Sequence, residues 1–242
     1  MRYTYPLKRI RRGRHKANIS IAITVLLLAL ILFLGFTEVD ARQFFGGFGE
    51  SFVRVSIAYA VSLILAIAMV VFLATSALIE TIFLPVLDAL QSFPSFAVFP
   101  LLLVWLGRTS AVTVIILVIE MIWPILFTLL SAQKQLKTDL LEAGSIFGAT
   151  GTKRIRYVLF PLLFPALVTG SIVAWGEAWE AIIAAEIIVA VPGVGTYLGN
   201  LGTANSTGTL LVGILLLLLI LYIVNKYLWL TLLNLSTRYQ QE

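Results

Sequence analysis

Four carboxylates stand in stretches of sequence that are otherwise apolar: Glu120, Glu177, Glu180 and Glu186. A charged side chain at mid-bilayer costs at least about 2.5 kcal/mol, so each needs a partner or a water-filled cavity. Glu177 and Glu180, at i and i+3, can share one face of a helix, whereas Glu186 points elsewhere. Two readings stand side by side: a polar path that touches a solute, or protonated and hydrogen-bonded carboxyls at helix contacts. Other chemistries lack raw material. The chain has no cysteine, and its single histidine, His15, sits in a basic run, so thiolate, disulfide, metal and histidine-triad chemistry are not expected. No apolar stretch offers the aspartate pair or serine–lysine pair of an intramembrane hydrolase.

A second constellation lies between the apolar stretches, in a polar loop at about 132–156. Asp139 can cap the first amides of a short helix, with Glu142 three residues on as its capping-box partner and Gly148 as its stop. Leu140, Leu141, Gly144 and Phe147 then fall on one face, and Ala143 beside Gly144 lets another backbone approach closely. Thr150 or Thr152 can cap a following helix that carries Lys153, Arg154 and Arg156 towards Pro161. Such a face either packs on its own protein or docks into a partner groove.

The elements that position these residues follow from composition. The 242 residues are 60% hydrophobic and only 12% charged, with a mean hydropathy of +1.01, against about 45–50% apolar and 25% charged in soluble domains. The chain is read as an all-α integral membrane protein with about six transmembrane helices. Residues 19–36 are long enough to form a first anchor helix, and no cleavage pattern follows them. Residues 38–54 read as a polar connection turning at Gly46-Gly47. The second span then runs from about 53 to 74, and an amphipathic stretch over 75–92 leads past Pro94 to a third apolar run ending at Trp105 and Gly107. The fourth, fifth and sixth spans cover about 111–131, 157–190 and 209–233.

Charge supports that count. The net charge is +5, yet seven of the seventeen Lys and Arg lie in the first sixteen residues. This basic segment, 1–18, reads as a topology signal facing anionic lipid rather than nucleic acid. An even number of crossings puts both termini and the 132–156 loop on the cytoplasmic side. That loop carries Lys134, Lys137, Lys153, Arg154 and Arg156 against two acids, as the positive-inside rule requires. The 75–92 stretch falls on the same side with no Lys or Arg. No Lys or Arg is expected deep in any span.

At the loop the chain resembles the membrane subunits of binding-protein-dependent ABC importers. Their signature is Glu-Ala-Ala, three residues, Gly, nine residues, an aliphatic residue and a proline three further on. Here it stands as Glu142-Ala143-Gly144, Gly148, Val158 and Pro161, with Gly144 for the usual second Ala, Val158 for Ile and Phe160 for Leu. Leu84-Pro85-Val86-Leu87-Asp88, Phe99-Pro100-Leu101-Leu102, Trp123-Pro124-Ile125-Leu126, Ala184-Ala185-Glu186 and Gly193-Val194-Gly195-Thr196-Tyr197-Leu198 are similar to the nitrate/sulfonate/taurine-type branch. The likeness spans roughly residues 50–235.

The resemblance implies a type I importer permease-like fold in a multi-pass cell-membrane protein, the inner membrane in bacteria. It also implies a mechanism: two permease subunits form a pathway, a cytoplasmic ABC ATPase dimer docks on the two loops, and an extracytoplasmic solute-binding protein delivers a small polar solute. The loop is then the coupling helix. ATP and magnesium belong to the ATPase, and this chain holds no cofactor. Gly148-Ala149-Thr150-Gly151-Thr152-Lys153 is glycine-rich, but Thr152 intrudes where a phosphate loop needs adjoining Gly and Lys, and no strand precedes it. Glu186 belongs to the family pattern whatever the substrate, whereas Glu120 and Glu180 fall where the family is apolar or small. The acidic bias leans towards a cationic or neutral polar solute. The alternative is a secondary transporter or channel with intramembrane carboxylates, which needs no such loop.

Overall fold

In the computed structural model, residues 39–136, 155–204 and 206–238 are described, together with residues 25, 146 and 153. These residues build an all-helical fold. Helix α1 is Ala41–Leu73, α2 Ala77–Gln91, α3 Phe99–Leu106, α4 Ser110–Lys134, α5 Phe160–Val189, α6 Val194–Thr203, α7 Thr207–Val224 and α8 Leu230–Arg238. Among the described residues four helical stretches are long and apolar enough to cross a membrane: Ala41–Leu73, Ser110–Lys134, Arg156–Val189 and Thr207–Ser236. The pair α2 and α3 makes a fifth if its two arms count as one span. The expected anchor at 19–36 falls outside the described residues apart from residue 25.

Helix α1 begins twelve residues earlier than the expected second span, which corrects the reading of 38–54 as a turning connection. Asp40 is the reason: its carboxylate accepts the Gln43 amide at 3.1 Å and starts the helix. Gly46 and Gly47 therefore lie inside a helix, where each disfavours the conformation by about 1 kcal/mol relative to Ala. Gly47 has a packing role. A Cβ there would sit 2.8 Å from the carbonyl carbon of Gly193.

The third crossing also differs from expectation. α2 and α3 are bent by 82° with a 3₁₀ turn at Ser95–Val98 between them, so the amphipathic stretch and the third apolar run form a broken helical pair. Pro94 forces its predecessor out of the helical region, and α3 resumes with Pro100 in its first turn, where the missing N–H is harmless. Gly107, at φ 67°, ends α3.

Small residues set the packing of the long helices. α1 buries Ser51, Ala58, Ser62 and Ala66, largely at four-residue spacing, and the Ser62 hydroxyl donates to the Val118 carbonyl of α4. α5 buries Gly170, Ser171, Ala174, Ala178, Ala181 and Ala185. Such stripes let helix backbones approach where lipid supplies no hydrophobic drive. A Cβ on Gly170 would lie 2.9 Å from the Pro124 carbonyl oxygen, so α5 and α4 touch backbone to backbone there. The Tyr59 hydroxyl donates to Ser171 at 2.9 Å, tying α1 to α5. Around it, Trp175 meets Phe52, Tyr59 and Trp229, and Trp179 stacks on Phe48. These buried tryptophans are packing residues, whereas Trp105 on α3 faces outwards.

Candidate functional site

The four predicted carboxylates separate into three environments. Glu186, in the last turn of α5, is fully buried. Its Oε1 accepts from Arg54 Nη1 at 2.7 Å and from the Ser51 hydroxyl at 2.7 Å, and its Oε2 accepts the Gly195 amide at 2.8 Å. Arg54 Nη1 also donates to the Pro192 carbonyl at 2.6 Å, and the Ser51 hydroxyl receives the Val194 amide at 3.0 Å. One carboxylate thus clasps α1 to the α5–α6 turn and caps the Gly195 amide at the start of α6, while Ser51 takes the Val194 amide.

Two glycines make room for the clasp. A Cβ on Gly193 would overlap the Glu186 carboxylate, and one on Gly195 would lie 2.6 Å from the Ile183 carbonyl oxygen. Ala190, at φ 58°, closes α5 in the left-handed region with its amide on the Glu186 carbonyl. The expectation that no cation lies deep in a span is thereby corrected. Arg54 is buried within α1, because that helix starts at Ala41 rather than near residue 53.

Glu120 and Glu177 come together. They open on a cleft of about 390 Å³ between α4 and α5, lined also by Gln91, Trp123, Phe127 and Thr128. The α4 members fall at 120, 123 and 127, one face of that helix. The Ser95 hydroxyl of the 3₁₀ turn donates to Glu120 Oε1. Pro124 offers no N–H to the Glu120 carbonyl four residues earlier, and its own carbonyl accepts the Thr128 hydroxyl at 2.6 Å. The Gly170 contact with Pro124 and Thr128 lies beside the cleft.

Glu180 is placed apart. Although it stands three residues from Glu177 and within its electrostatic reach, it opens on a mostly apolar cavity of about 590 Å³ between α5, α6 and α7. Positions i and i+3 differ by about 60° around a helix, enough for interhelical crevices on either side of α5 to divide them.

Of the loop constellation, Asp139, Leu140, Leu141, Glu142, Ala143, Gly144, Phe147 and Gly148 lie outside the described residues. Val158 and Pro161 are described: Val158 is half-buried in a π-helical turn at Ile155–Leu159, and Pro161 is in the first turn of α5. Lys134, at the other edge of the loop, pairs with Glu80 in the first turn of α2 at 2.8 Å.

Sequence reasoning did not single out Ser51, Arg54, Gln91 or Ser95 as site residues. A signal for Arg54 was present in Asp40-x-x-Gln43, a capping-box pattern that places the arginine several turns into a helix. Nothing comparable marked Gln91, which lines the cleft, or Ser95, which meets Glu120 from the 3₁₀ turn after Pro94.

Residues 63–231 match the model of the binding-protein-dependent transport system inner membrane component family. The chain is 22% identical to the taurine transport system permease protein of Escherichia coli strain K12, over 72% of this chain and 63% of that protein. It is 28% identical to the bicarbonate transport system permease protein of Synechocystis sp., over 60% and 52% of the two chains. The nitrate import permease protein of the same organism is 24% identical, over 61% and 54%. In each case the matched region is under two thirds of the relative's length. With its long apolar helices, the chain is a multi-pass inner-membrane protein of the ABC permease class. Matched over most of its length, it belongs to the binding-protein-dependent transport system inner membrane component family, whose fold is that of type I importer permeases.

Proposed function

We propose that this chain is the membrane-spanning permease subunit of an ATP-driven importer for a small polar solute. A separate cytoplasmic ATPase dimer docks on the 132–156 loop and supplies ATP and magnesium, a second permease subunit completes the pathway, and an extracytoplasmic binding protein delivers the solute. Both termini face the cytoplasm. The observation that carries this reading is the spacing from Glu142 through Gly148 to Val158 and Pro161 in a chain of this family.

The geometry of α5 supports it. Val158 and Pro161 lead directly into α5, and Glu177 and Glu186 ride on that same helix. From Pro161 to Glu177 is about 24 Å at 1.5 Å per residue, most of a hydrocarbon core. Closure of the ATPases on ATP moves their grooves, the docked loops follow, and α5 carries the motion to the α4–α5 cleft, which opens alternately to the two sides.

The decisive experiment is co-purification of the full chain with its ATPase. Glu142→Arg and Gly148→Trp are expected to abolish the association and transport while the permease still folds and inserts. Variants that assemble with the ATPase and transport normally would overturn the docking assignment.

A further inference from the structure

We propose that the cleft between α4 and α5 is a binding station for a small organic cation, a solute bearing an ammonium or guanidinium-type nitrogen. This rests on the permease reading and names the solute class that the reading leaves open. The cleft is rich in acceptors. It is lined by Glu120 and Glu177, and by the Thr128 hydroxyl and the Gln91 side chain. Ser95 occupies one Glu120 oxygen, while Glu177 has no hydrogen-bond or ion-pair partner among the described residues.

Among the described residues no lysine or arginine lines the cleft to balance the two acids. The buried guanidinium of α1, Arg54, is held by Glu186 and does not reach it. The wall beside the carboxylates is aromatic: Trp123 and Phe127 lie with ring centroids 6.4 Å apart. Ring faces next to carboxylates attract an organic cation by cation–π and charge together. A bare metal ion would leave the rings and most of the 390 Å³ unused. An anion would meet two like charges in a weakly screened site. Bicarbonate and nitrate, named for two of the relatives, therefore do not match this lining, and taurine, a zwitterion, would meet it favourably only through its ammonium end.

The test uses the full-length chain with its ATPase in lipid nanodiscs. Choline, putrescine and methylguanidine are titrated against the anions nitrate and bicarbonate, following indole emission, with Trp123→Phe identifying the responding ring. At least one of the three cations is expected to saturate the signal, and Glu177→Gln to weaken that cation at least about tenfold, a loss of about 1.4 kcal/mol. Because Glu177 loses no hydrogen-bond or ion-pair partner among the described residues, this variant is expected to fold as the parent does, and its melting curve checks that.

Failure of all three cations to saturate up to tens of millimolar overturns the proposal. So does saturation by an anion that Glu177→Gln leaves unweakened. A cation that binds a chain retaining no ATPase would instead overturn the permease reading and leave the cation site standing.

Discussion

Removing one member of the Glu186 clasp gives the sharpest test of how the fold is held. Arg54→Met keeps the length of the side chain but removes the guanidinium, leaving the Glu186 carboxylate with only the Ser51 hydroxyl and the Gly195 amide. Leaving a buried charge without its partner costs about 3–5 kcal/mol. Glu186→Gln has a different fault. Both carboxylate oxygens receive donors, from Arg54 and from the Gly195 amide, so the carboxamide NH2 must face a donor in either orientation. The loss of a charged hydrogen bond costs about 1.5–3 kcal/mol, while the guanidinium keeps the Pro192 carbonyl and the exposed Glu50 carboxylate. The double variant leaves no buried charge unpaired, only the exposed Glu50, so its cost falls below the sum of the single ones by about 0.5–3 kcal/mol.

At about 2–4 °C per kcal/mol for a chain of this size, Arg54→Met lowers Tm by about 6–20 °C. The assay is thermal unfolding in nanodiscs, followed by tryptophan emission at a fixed scan rate, because membrane proteins unfold irreversibly on heating. A shift below about 2 °C for Arg54→Met, or simple additivity in the double variant, refutes the reasoning.

The two neighbouring glycines of α1 are expected to behave oppositely in the same assay. Gly46→Ala has open space and stabilises by about 0.5–1 kcal/mol, whereas Gly47→Ala presses on Gly193 and destabilises by about 1–3 kcal/mol. Equal effects would contradict the helical start at Ala41. Lys134→Met removes a half-exposed ion pair with Glu80 and changes stability by less than about 1 kcal/mol, so a Tm loss above about 4 °C would count against that assignment. Gly170→Val is expected to push α5 off Pro124 and to cost about 1–3 kcal/mol, read as a Tm loss with altered emission from Trp123.

The membrane class and the positions of the later spans were legible because lipid demands long apolar helices, and 111–131, 157–190 and 209–233 announce themselves by length alone. Local signals misled where they competed. Gly46-Gly47 is turn chemistry in most sequences, but the Asp40 cap and the close approach at Gly193 keep it helical. Pro94 was a visible breaker, yet an 82° bend that returns Ser95 and Gln91 to Glu120 depends on tertiary packing that no single segment encodes. The pairing of Glu186 with Arg54 joins residues 132 apart in the chain, beyond any periodicity argument. The division of Glu177 from Glu180 likewise depends on which crevices flank α5.

The backbone contact of Gly170 with Pro124 divides α5 into unequal arms. The arm towards Pro161 is about 14 Å long and the arm towards Glu186 about 24 Å, at 1.5 Å per residue. A rigid rod rocking on that contact moves its two ends in opposite senses, and a 1 Å displacement at the short arm becomes about 1.8 Å at the long one. At the fulcrum a Cβ on α5 would meet the α4 backbone, and the contact sits beside the cleft. A push at the loop would therefore swing the far end of α5, with α1 and α6 clasped to it, further than the loop itself travels.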